Sequence, residues 1–199
     1  MAANLTIYGD PVSGNCLKVK WVADHLGIPA EWRAVSVLAG ETRTPEFLAI
    51  NPNGKVPIVV LPGGEVLSEA NAIIAYLAEG SALVPRNPLP RARMLQWMFW
   101  EQYSHEPYIA VRRFHLGLRR RPPDELDPKL LERGNEALAL MEATLERSAF
   151  MAADGLTLAD AALVAYTRVA HEGGFDLAPF PAVRGWIGRV EAGLGIGAQ

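Results

Sequence analysis

Cysteine is nearly absent from this chain: Cys16 is the only one in 199 residues. No intramolecular disulfide can form, which fits a reducing compartment. Charge of either sign is also modest. Nineteen Lys and Arg stand against 22 Asp and Glu, for a formal net charge of -3. No stretch is broadly basic, so neither nucleic acid nor an anionic membrane is the expected partner. The 4 histidines show no paired ligand spacing, which argues against a metal. No uninterrupted apolar run reaches membrane-spanning length. The N-terminus shows no charged segment followed by an apolar one, so a cytoplasmic location is expected. Asn4-Leu5-Thr6 matches a glycosylation acceptor, but without a secretory signal the match carries no weight. What the sequence does hold is apolar: 50% of its residues are hydrophobic. That supplies a packed core for one or two domains.

The stretch from Asn4 to Gly27 organises the rest. Leu5, Ile7 and Tyr8 read as a strand. Asp10-Pro11 breaks it. Ser13 then stands in a good N-cap position, and Leu17, Trp21 and Ala23 to Leu26 recur at helical spacing. Gly27 stops the helix, with Pro29 just beyond. Ser13 therefore sits where the unpaired N–H groups and positive dipole end of a helix converge, a place to hold an anion. A thiol-redox fold carries C-x-x-C at such a turn. Here the turn reads Ser13-Gly14-Asn15-Cys16, and a serine performs no disulfide exchange. It can donate a hydrogen bond to a thiolate brought by another molecule. Such a bond is worth roughly 1.5–3 kcal/mol, or about one to two units of thiol pKa. A free thiol of pKa ~8.5 would come close to neutrality. The plainer alternative is that Ser13 only caps the helix.

Glu31 to Leu38 reads as a second strand, through Trp32, Val35 and Val37. A polar loop, Ala39 to Thr44, leads to a short helix capped by Thr44 with Pro45 at its first position. Asn51 to Pro57 is a dense turn cluster that runs into a strand, Pro57 to Leu61. Pro62-Gly63-Gly64 turns into another, Glu65 to Leu67, so the pair reads as a hairpin. Ser68 is then a reasonable cap for a third helix, with Glu69 in its first turn, Ile73, Ile74 and Leu77 on its apolar side, and Gly80 at its end. Leu5 to Glu79 thus reads βαβαββα, the layout of a thioredoxin-like domain.

Three motifs in this order resemble the glutathione transferase family. They are Ser13-Gly14-Asn15-Cys16-Leu17-Lys18-Val19, Asn51-Pro52-Asn53-Gly54-Lys55-Val56-Pro57, and Ser68-Glu69-Ala70-Asn71-Ala72-Ile73. The resemblance is to the serine-type branch, related to theta class and to many bacterial members. Tyr8 lies near the position of the helper in the tyrosine-type branch. The resemblance implies a cis Val56-Pro57 bond, although cis is not the default for an X-Pro bond. It also implies that the Val56 backbone pairs with glutathione like an added strand.

Residues 80–90 carry three prolines and no periodicity, and read as a linker between a domain over 1–79 and another over 91–199. The second domain reads all-helical. A long helix is expected from Arg91 to Arg121, kinked near Glu106 by Pro107. Arg119-Arg120-Arg121 suits a helix C-terminus rather than a nucleic-acid patch. Asp127-Pro128 starts another helix, Lys129 to Ser148. Leu156-Thr157-Leu158-Ala159-Asp160 is a capping arrangement before the apolar run Ala161 to Ala170. It resembles the buried cap in the helical domain of the family, a folding device. A last helix is expected over Ala182 to Ala192, and the Gly-rich end reads as a frayed tail.

The reaction implied by the resemblance is attack of the glutathione thiolate on a hydrophobic electrophile, with glutathione as co-substrate and no metal. Ser13 is the expected thiol contact, with Asn15 as the alternative. Cys16 is expected to pack inward as a small hydrophobe. Arg43 and Lys55 suit the glycine carboxylate, and Glu69 and residue 70 the γ-glutamyl end. The family usually has Ser at that last position; Ala70 offers only its backbone N–H, at a helix N-terminus. The missing hydrogen bond, about 1 kcal/mol, would weaken binding several-fold. Tyr103, His105, Tyr108, Arg112 and Arg113 are electrophile-site candidates by position. A homodimer is expected by resemblance. Two other readings stay open: a non-catalytic interaction protein, and a glutathione-dependent disulfide reductase or peroxidase.

Overall fold

The computed structural model describes residues 5–197. Asn4, with the acceptor motif it opens, and the last two residues of the Gly-rich end lie outside the described residues. The chain divides into two compact units, Met1–Ser81 and Ala82–Gln199.

Unit one holds β1 (Leu5–Gly9), α1 (Gly14–His25), β2 (Ala30–Ala34), α2 (Pro45–Ile50), β3 (Ile58–Val60), β4 (Val66–Ser68) and α3 (Ala70–Leu77). A single 3₁₀ turn, Glu41–Arg43, precedes α2. The strands form one mixed sheet in the order β2-β1-β3-β4. β1 and β2 are parallel, as a helical crossover requires. The β3–β4 hairpin is antiparallel, and β3 runs antiparallel to β1. This is the βαβαββα thioredoxin-like arrangement. Ile7, Val19, Val22, Ile58, Val59, Ile73 and Ile74 are buried between sheet and helices.

Two boundaries differ from the sequence expectation. β2 stops at Ala34, because Val35 turns into a core cluster with Phe47 and Ile58. Ser68 is not the cap of α3. It ends β4, paired with Ile58. Glu69 occupies the N-cap position instead, at φ 68°. The hairpin ladder claims Ser68 for one more rung, so the chain must reverse within one residue.

Unit two is helical throughout. It holds α4 (Pro88–Trp100), α5 (Glu106–Arg113), α6 (Pro128–Leu145), α7 (Leu158–Thr167) and α8 (Pro181–Leu194). α4 starts at Pro88, inside the stretch read as linker, since proline suits a first helical turn. The expected kink is a π-turn at Glu101–His105, after which α5 opens with Pro107 in its first turn. The wider turn accommodates the break where proline, lacking an N–H, leaves a carbonyl without its usual helical donor. A second π-turn, Phe114–Leu118, ends this run before the three arginines. Every residue of α7 is buried. Ile109, Leu138, Tyr166 and Phe175 form a core cluster. The Gly-rich end is not frayed over its described part. α8 continues to Leu194, Gly195 takes a left-handed conformation, and the Ile196 N–H bonds to the Glu191 carbonyl.

Candidate functional site

Sheet register gathers the three motifs of unit one. Tyr8 pairs with Ile58, and Ile58 pairs with Ser68. The segments just beyond them are the β1–α1 turn, Val56-Pro57 and Glu69-Ala70. All three therefore leave the sheet at the same end. Gly9 pairs with Ala34, which brings the segment after β2 to that end as well.

Ser13 caps α1. Its Oγ accepts the Cys16 N–H at 3.4 Å, and its own N–H donates to the Asp10 carbonyl at 3.0 Å. The turn is held from below by Asp10. This residue is 4% exposed, and its carboxylate accepts the N–H groups of Val12 at 3.1 Å and Val37 at 2.8 Å. Sequence reading took Asp10 only as a strand breaker. The Asx turn with Val12 was a readable signal, whereas the bond to Val37 spans the fold and was not. Gly9 also matters here: a Cβ on it would stand 2.5 Å from the Trp32 ring and 3.0 Å from the Cys16 Cβ.

Cys16 is fully buried. Burial pushes its thiol up to about 11, against the opposing pull of hydrogen bonds from Ser13 and Asp10. The thiol stays protonated at neutral pH. It is therefore no thiolate and no nucleophile. Asn15 is half-buried in the first turn of α1.

Val56-Pro57 is cis. Val56 packs against the Val35, Phe47 and Ile58 cluster. Its turn is braced by Asn51, whose Nδ2 donates to the Lys55 carbonyl at 2.8 Å. Arg43 closes on the same turn: a Cβ on Gly54 would stand 2.5 Å from its Nη1. Arg43 and Lys55 are both exposed, two cations beside one turn. Ala70 is buried as the first residue of α3, and Glu69 is exposed. Thus Ser13, Asn15, Arg43, Lys55, Val56, Glu69 and Ala70 all belong to one end of one sheet. Two helix N-termini meet there, and each favours an anion. Tyr8 is engaged elsewhere; its hydroxyl accepts Arg33 Nη1 at 2.9 Å.

The electrophile-site candidates fare differently. His105 is fully buried with Nε2 at 2.9 Å from Thr167 Oγ1. Arg112 donates to the Gly173 carbonyl at 2.8 Å, and Arg113 pairs with Glu172 at 2.7 Å. These three hold unit two together. Tyr103 is 84% exposed on the helix surface. Tyr108 is half-buried.

Among the described residues, no group of three or more His, Cys, Asp or Glu side chains could hold a metal ion. No helix among them is long and apolar enough to cross a membrane.

The fold is a thioredoxin-like domain with two helix N-termini at one end of its sheet, followed by a helical domain. Comparison with known proteins gives that class a name. Residues 12–79 match the family model for the glutathione S-transferase N-terminal domain, and residues 98–193 match that for the C-terminal domain. Glutathione S-transferase 3 of Zea mays is 34% identical over 168 residues, covering 80% of this chain and 75% of that one. The crystal structure of a glutathione S-transferase from Pseudomonas fluorescens superposes with a TM-score of 0.91 at 47% identity, covering 94% of each chain. A theta-class enzyme from Xanthomonas axonopodis, with glutathione bound, superposes at 0.86 and 28% identity over 100% of this chain and 98% of that one. The chain belongs to the glutathione S-transferase family.

Proposed function

We propose that this protein binds glutathione at the shared end of the β1, β3 and β4 strands, stabilises its thiolate and conjugates it to a hydrophobic electrophile. The observation that carries the reading is Ser13. It caps α1 beside Cys16, whose thiol burial keeps protonated, so an incoming thiolate would be the stronger, charged acceptor for the Ser13 hydroxyl. Donation from Ser13 and the α1 dipole would lower the thiol pKa of bound glutathione. Asn15 is the second donor within the same turn. The Val56 backbone would pair with the cysteinyl unit, Arg43 and Lys55 with the glycine carboxylate, and Glu69 with the Ala70 N–H would take the γ-glutamyl end. The protein supplies position and electrostatics, not a covalent nucleophile.

We place the enzyme in the cytoplasm and read it as a homodimer. Leu95, Phe99 and Tyr103 stand four residues apart on one exposed helical line, at 37%, 73% and 84% exposure. Such a ladder suits burial against a second copy.

The test is calorimetry with glutathione on the wild type and Ser13→Ala, with ultraviolet absorbance of the bound thiolate. Binding by both, with the thiolate signal about ten- to a hundredfold weaker in Ser13→Ala, is the expected result. An unchanged thiolate signal would move the role to Asn15. A wild type that does not bind glutathione would favour the interaction-protein reading.

A further inference from the structure

Lys18 lies in the second turn of α1 and is fully buried. A buried ammonium group is costly unless it is held by hydrogen bonds. A packed helix would more readily place an apolar side chain here. The Lys18 Nζ donates to Asn71 Oδ1 at 3.3 Å. Asn71 is the second residue of α3, next to Ala70. The bond therefore ties α1 to the first turn of α3, the two helices whose N-termini face the proposed ligand. The lysine charge is also felt at the Cys16 thiol, which is bonded to Ser13.

From this we infer that Lys18 is a positioning residue: through Asn71 it fixes the first turn of α3, and with it the Ala70 N–H, for the γ-glutamyl carboxylate. The inference rests on the glutathione reading above. It gains force from Ala70 itself. Without a side-chain hydroxyl at that position, recognition of the carboxylate falls on backbone N–H groups, and a backbone donor is only as well aimed as the turn that carries it. Glu69, at positive φ immediately before this turn, gives the helix a left-handed rather than an ordinary extended entry. An anchor inside the turn, reaching back to α1, would hold that entry in place.

The experiment compares two ligands by calorimetry on the full chain: glutathione, and cysteinylglycine, which lacks the γ-glutamyl unit. Lys18→Met should weaken glutathione about five- to tenfold, the worth of one lost hydrogen bond. It should leave cysteinylglycine unchanged. Asn71→Ala should do the same, and the double variant should lose less than the sum of the two single losses, because both remove the bond they share. Lys18→Gln, which keeps an N–H donor, should restore most of the loss. Equal weakening of both ligands would reduce Lys18 to a general packing role and overturn the inference, as would unchanged glutathione binding in Lys18→Met. If Lys18→Met does not fold, Asn71→Ala and Lys18→Gln decide the question by the same ligand split. A wild type that binds neither ligand would instead sink the glutathione reading itself.

Discussion

Two carboxylates, one in each unit, do the same geometric job under different constraints. Asp10 accepts two backbone N–H groups and holds the turn that presents Ser13. Asp160 accepts four donors: the N–H groups of Met151 and Thr157, the Thr157 hydroxyl and the Trp186 indole. In the capping box of unit two the threonine hydroxyl is turned inward and spent on Asp160. At the cap of α1 the serine hydroxyl accepts one long bond from the Cys16 N–H, and its other partner is the neutral Cys16 thiol, weaker than a carboxylate. A cap tied to a buried carboxylate fixes a fold, whereas one with only weak, neutral partners can yield them to a ligand. The difference separates a folding device from the proposed site, although both are residues of the same type at the start of a helix.

The largest effect should come from breaking the saturated network. Asp160→Ala would leave four donors facing a dry interior, since the residue is fully buried. Each unsatisfied donor costs about 1–3 kcal/mol. Some relief by water notwithstanding, unit two should lose at least about 3 kcal/mol, read as a lower denaturation midpoint or as failure to fold. Loss of glutathione binding with no change in stability would contradict the contrast. Burial also pushes the Asp160 carboxyl above the usual carboxylate range, against the pull of its four donors.

Cys16 sharpens the comparison from the side of unit one. Its thiol moves from 9.0 to about 11 on burial. The folded state thus favours the protonated form. Stability from this group is complete below pH about 9 and falls as the pH rises toward about 11. Between pH 8 and 10.5 the wild type should lose about 2 kcal/mol relative to Cys16→Ala, from the linkage of a two-unit shift. Denaturant titrations of both proteins at the two pH values would measure it. Parallel losses in the two proteins would mean that the thiol is not the group responsible.

Much of this was legible in the sequence where the signal is local. Ser13 and Thr44 each cap the helix they were expected to cap, and Asp127 caps the helix that Asp127-Pro128 was expected to start, because an N-cap bond closes within two or three residues. The βαβαββα order followed from apolar periodicity and turn residues. What escaped were features decided by distant partners. Ser68 looks like a cap until Ile58 pairs with it. Val35 and Val37 extend the apparent strand until Val35 is drawn into the core with Phe47. Arg112 and Arg113 resemble ligand-facing cations until Gly173 and Glu172, some 60 residues on, take them up. Lys18 stands in the sequence only as one residue of the first motif, and neither its burial nor its bond to Asn71, far along the chain, is readable there. At the proposed site, the residue types come from the family resemblance. The common end of the sheet that unites them follows from register, which no single motif carries.

The smallest effect should appear at the junction of strand and site. Glu69 holds φ 68° without the freedom of glycine, a conformation that costs of order 1 kcal/mol or more. Glu69→Gly relieves that strain but adds backbone entropy to the unfolded chain, about 0.5–1 kcal/mol. The net change in stability should therefore be slight and stabilising, under about 1 kcal/mol. Glutathione binding should fall at the same time, because the carboxylate proposed to meet the γ-glutamyl ammonium is gone. Stability and affinity would then move in opposite directions, the mark of strain kept for a ligand rather than for the fold. A Glu69→Gly variant less stable than the wild type would show that the exposed side chain serves the fold, and the distinction between the two units would not hold at this residue.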